Sequence, residues 1–93
     1  MTEVYKGIGK LIEEMGEVNQ ILGKLIPFPQ GIHPDNKGNL KDRLADELAD
    51  LEAAIRYIRD VNQIDARHSR YLQKYTLFWE WGLTGIPDDV VQR

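Results

Sequence analysis

A chain of 93 residues fits a single domain, and at this size folding buries only about 60–65% of the surface that the unfolded chain exposes. There is no cysteine, so disulfides and thiolate metal sites are excluded, and the remaining staples are a bound ion or a partner subunit. A net charge of −3 with no basic run argues against duplex nucleic acid, and the apolar runs fall far short of the roughly 20 residues that span a bilayer.

Thr2, Glu3 and Lys6 interrupt any apolar core of a signal peptide, so a cytoplasmic location is expected. The apolar content, 42%, is generous for so short a chain and points to a homo-oligomer, a dimer or a tetramer.

In chain order, a first helix is expected from about Thr2, as N-cap, to Leu25. Val4, Ile8, Leu11, Ile12, Met15, Val18 and Leu22 recur at spacings of three and four. Pro27 and Pro29 end it, because each lacks a backbone donor and restricts the residue before it. Gly16, amid acidic residues, is expected to admit the close approach of another backbone.

Residues 27–39 read as a proline-rich loop. Asn39 then caps a second helix, with Asp42 three residues on, and the stripe Leu40, Leu44, Leu48, Leu51, Ile55 and Ile58 carries it to about Val61. A third helix is expected from the N-cap Asp65 to Trp81, stopped by Gly82, with residues 83–93 as a tail. No alternation of the strand kind is present. The expected fold is therefore all-α: a helical bundle of three main helices per protomer, completed by homo-oligomerisation.

Acidic residues on helices usually form a solvated face, and projection at roughly 100° per residue tests that reading. Glu14 falls on the apolar side of the first helix, flanked by Ile21 and Leu25, with Glu17 at the edge and Glu13 outside. On the second helix Glu47 lies between Leu51 and Ala54, with Asp50 at the border. Charged groups in such positions are almost always paired or metal-bound. Arg43, near Asp50 in projection, cannot balance four carboxylates.

Glu14–Glu17 and Glu47–Asp50 are both i, i+3 pairs, so each projects side by side from its own helix. If the two helices pack antiparallel, the pairs face each other across one ion. Oxygen-only ligands favour Mg²⁺ or Mn²⁺ over zinc. These residues alone leave both readings open, the solvated face and the metal site.

Glu13-Glu14-Met15-Gly16-Glu17 followed by Glu47-Leu48-Ala49-Asp50 resembles the EExxE…ExxD signature of the MazG-like nucleotide pyrophosphohydrolases, relatives of the all-α dimeric dUTPases. The segments KLIEEMGEVNQ and RLADELADLEAAIRY around the motifs resemble the family as well. The resemblance spans roughly residues 5–60, with a longer connection between the motifs than is usual for the family. It implies that Glu14, Glu17, Glu47 and Asp50 ligate Mg²⁺ and that Glu13 is either a support to those ligands or the general base. The implied reaction is hydrolysis of a nucleoside triphosphate to the monophosphate and pyrophosphate.

Arg67, Arg70 and Lys74 form a basic strip at i, i+3, i+7 on the third helix; they are either a solvated face or, as the resemblance implies, contacts to the triphosphate. Lys74 is the preferred one of the three, and Lys10 and Lys24 rank below them. Tyr71, Tyr75, Phe78, Trp79 and Trp81 read as core or subunit interface before they read as a base-stacking site, with one of the two tryptophans facing a partner. His33 and His68 stand in no Glu-x-x-His pair, which disfavours a di-iron bundle.

Two rival functions remain alongside the pyrophosphohydrolase. One is a non-catalytic helical interaction module. The other keeps the fold and acts on a different phosphoanhydride such as dUTP or dUDP.

Overall fold

The computed structural model describes residues 5–84, with the side chain of Thr84 left aside. Three helices follow one another: α1 Ile8–Leu25, α2 Leu40–Asn62 and α3 His68–Thr84. No strand occurs among the described residues. None of the described helices is long and apolar enough to cross a membrane.

Helix α1 starts later than its periodicity suggests, and the cause lies across the helix pair. The Lys6 amide donates to Asn62 Oδ1 at 3.0 Å, and Asn62 Nδ2 donates to the Lys6 carbonyl at 2.8 Å. The backbone of residue 6 is thereby spent on α2 rather than on a helical ladder. Gly7 then turns the chain with φ 89°, and a Cβ there would lie 3.0 Å from the Tyr57 ring. Only glycine tolerates both the left-handed backbone and that approach. Thr2 and Val4 lie outside the described residues.

The 27–39 loop folds on itself. Gly31 donates to the Phe28 carbonyl at 3.0 Å, and Leu40 donates to the Gly31 carbonyl at 2.8 Å, closing the loop at its base. Leu40 beneath it is fully buried. At the loop's centre Asp35 accepts from Lys24 Nζ at 3.0 Å, Arg43 Nη1 at 3.1 Å and the Lys37 amide at 3.2 Å. This carboxylate ties the end of α1 to the start of α2. Asn39 caps α2 as its sequence position suggests, its side chain accepting from the Lys41 amide at 2.8 Å.

With Asn62 at one end and Asp35 at the other, α1 and α2 lie antiparallel. Val18, Ile21 and Ala54 are buried between the helices. Helix α3 begins three residues beyond the expected Asp65 cap and continues through Gly82 to Thr84, so Gly82 does not stop it. It packs against neither α1 nor α2.

Candidate metal centre

The antiparallel pairing sets the middle of α1 against the middle of α2, where each helix carries its carboxylates. Glu14, Glu17 and Glu47 are half-buried, Asp50 is exposed, and Glu13 is exposed on the neighbouring side. One carboxylate oxygen from each of Glu14, Glu47 and Asp50 lies within 4.8 Å of the other two. Glu17 stands outside this trio, although its charge reaches Glu47.

The Glu47 carboxyl has a raised pKa. Burial is the largest cause, followed by the charges of Glu17, Asp50, Glu14 and Asp46. Among the described residues no cation forms an ion pair with Glu14, Glu17, Glu47 or Asp50. Arg43, which projection sets near Asp50, is turned away to Asp35 at 3.1 Å.

The donor set suits a hard divalent cation. Mg²⁺ binds oxygens at about 2.1 Å, so opposite ligands of one ion sit about 4.2 Å apart. Three oxygens on one octahedral ion include at least two neighbouring pairs about 3 Å apart, so a trio lying within 4.8 Å must draw together by side-chain rotation to share an ion. Gly16, by contrast, has open space where a Cβ would stand, so no backbone approaches it and the close-approach expectation is corrected.

Beside the carboxylates lies an open cavity of about 440 Å³ lined by Lys10, Glu14, Asp50, Ala53, Ala54 and Tyr57. Lys10 Nζ meets Glu13 Oε2 at 3.0 Å, and the hydrogen bond and charge of Glu13, with a smaller contribution from Glu14, raise the Lys10 pKa. Sequence reasoning ranked Lys10 below the basic residues of α3 and passed over Tyr57. The available signal was spacing: Lys10 is i−4 from Glu14, and Tyr57 is two turns beyond Asp50 on the same face. The 27–39 loop does not line this cavity.

The basic strip stands elsewhere. Because α3 packs on neither carboxylate-bearing helix, the structure does not bring Arg67, Arg70 or Lys74 to the carboxylates within one chain. Arg67 instead lines a cleft of about 290 Å³ with Arg59, Ala66, His68 and Tyr71. His33 packs its ring edge-on to Phe28 at 4.9 Å and belongs to the loop. No family model, curated protein or solved structure matches this chain.

Proposed function

We propose that this chain is a Mg²⁺-dependent nucleotide pyrophosphohydrolase of the MazG-like kind. The observation that carries the reading is the convergence of Glu14, Glu47 and Asp50, none of which forms an ion pair with a cation among the described residues. Glu14, Glu47 and Asp50 hold the metal, with Glu17 as the fourth ligand; Mn²⁺ satisfies the same donors. When bound, the cation supplies charge neutralisation for the polyphosphate and Lewis acidity at the α-phosphate.

The chain's own groups do the rest. Glu13, held by Lys10 at 3.0 Å, accepts the proton of the attacking water. The water oxygen bonds to the α-phosphorus, the α–β anhydride bond breaks, and the monophosphate and pyrophosphate leave. Lys10 borders the cavity where the phosphates would lie, and Tyr57 lines it as well. Arg67, Arg70 and Lys74 would reach a substrate only from another copy of the chain.

A panel of canonical and modified nucleoside triphosphates and diphosphates tests the reading, with products separated by chromatography. Mg²⁺-dependent release of pyrophosphate with the matching monophosphate is expected. Release of orthophosphate from a diphosphate would move the substrate to that class. No turnover of any nucleotide, together with no effect of Mg²⁺ or Mn²⁺ on the melting temperature, would leave the interaction-module reading in its place.

A further inference from the structure

Two clefts meet at the elbow between α2 and α3. The smaller, about 290 Å³, is lined by Arg59, Ala66, Arg67, His68 and Tyr71, a set with two guanidinium groups and no carboxylate. The larger, about 840 Å³, shares Arg59, Ala66 and Tyr71 with it and adds the acids Glu52, Asp60 and Asp65. That volume falls within the roughly 300–1,000 Å³ of small-molecule sites. The shared residues make one continuous site with a basic end and a mixed end.

The arginines of the basic end are not spent on the fold. Arg56 turns to Asp60, one turn along α2, at 3.6 Å. Arg59 and Arg67 form no ion pair among the described residues, although Arg59 is half-buried. A guanidinium carries five donors in a planar fork and no acceptor, and the fork matches the oxygens of a phosphate. Beside this pair stands a ring. Tyr71 borders both clefts, lies parallel to the His68 ring at 6.2 Å, and is still 64% exposed.

We infer that this elbow is a metal-independent binding site for a phosphate monoester that carries an aromatic ring, the chemistry of a mononucleotide. Arg59 and Arg67 clasp the phosphate, and the ligand's ring packs on Tyr71. Glu52 and Asp65, in the larger cleft, accept hydrogen bonds from its hydroxyl or amino groups. The same carboxylates repel a longer anion, so a monophosphate is preferred to a triphosphate.

The elbow is separate from the carboxylate centre. Arg59 follows Asp50 by nine residues, which places it about 13.5 Å further along α2 and about half a turn round it. The site therefore stands whether or not Glu14, Glu47 and Asp50 hold a metal.

Calorimetric titration of the full chain in EDTA with the monophosphates of adenosine, guanosine, cytidine and uridine tests the site. Saturable binding of at least one of them is expected. The matching nucleoside, inorganic phosphate and the matching triphosphate should each bind at least about tenfold more weakly. Arg59→Gln and Arg67→Gln should each weaken the monophosphate by at least about tenfold, as loss of a charge-assisted contact does, while binding survives Glu47→Gln. No binding at millimolar ligand, or binding indifferent to both arginine variants, overturns the inference. So does binding that needs Mg²⁺ and disappears in Glu47→Gln, since the nucleotide then sits on the carboxylates.

Should an arginine variant lose its helix content by circular dichroism, the unaltered chain gives the answer. Amide resonances of Arg59, Ala66, Arg67 and Tyr71 should shift on adding the monophosphate in EDTA, with those of Glu14 and Asp50 unmoved. The converse pattern would overturn the elbow site.

Discussion

Asp35, in the loop that joins α1 to α2, and Glu47, on α2, are two half-buried carboxylates that meet opposite fates. At Asp35 burial pushes the pKa up, but hydrogen bonds from Arg43, Lys24, the Lys37 amide and His33 outweigh it and hold the carboxyl well below the usual range. At Glu47 burial again pushes upward, and here every neighbouring charge pushes the same way. The loop carboxylate is neutralised by side chains the fold itself brings in. The helical one is surrounded by Glu17, Asp50, Glu14 and Asp46, and no cation among the described residues forms an ion pair with it. An acidic residue therefore says little alone; whether cations share its site separates a structural clamp from a binding centre.

Substituting each carboxylate by its amide should break this comparison most sharply. Glu47→Gln is expected to cut Mg²⁺-dependent turnover by at least about 100-fold, beyond the loss typical of residues that merely support a ligand. It should also remove the rise in melting temperature on adding Mg²⁺. Asp35→Asn should do the reverse, keeping the Mg²⁺ response while lowering the melting temperature by several degrees. Thermal melts of both variants with and without the ion check this; equal Mg²⁺ responses would erase the distinction.

Acidity should separate the two sites next. Asp35 has a depressed folded pKa, so its contribution is present above the unfolded value of about 3.9 and is lost as pH falls below it. Glu47 has a raised one, so stability is greatest below its unfolded value of about 4.3 and declines as pH rises through the folded value. Melting curves of the metal-free protein should therefore show an acid limb that Asp35→Asn reduces. They should also show a gentler decline above about pH 4.3 that either Glu47→Gln or Mg²⁺ removes. An upper limb insensitive to both would mean that Glu47 is not under repulsion.

The smallest effect concerns the backbone between the sites. Gly16→Ala should stabilise α1 by up to about 1 kcal/mol, since a helical glycine with open space gains from a methyl group. Gly7→Ala should destabilise, because it meets both a φ of 89° and the Tyr57 ring. Chemical denaturation measures both, and loss of stability in Gly16→Ala would point to a neighbour on that face.

Spacing alone was enough to determine the helical class, the second helix to within a residue, the Asn39 cap and the arcs that set Glu14 and Glu47 toward a neighbour. These are local properties, fixed by 3.6 residues per turn and by where proline and glycine fall. The start of α1 was not legible, because it depends on Asn62, 56 residues away from Lys6. Nor was the Asp35 cluster, which gathers Lys24, His33, Lys37 and Arg43 through a loop that has no period.

Tertiary structure alone decided that Glu14, Glu47 and Asp50 converge, that Arg43 leaves them, and that α3 stands apart from the helix pair that carries them. The angle of a residue about its own helix follows from the sequence, whereas the element that covers that angle is settled by which apolar arcs find each other. Among the described residues two arcs, on α1 and α3, stay exposed.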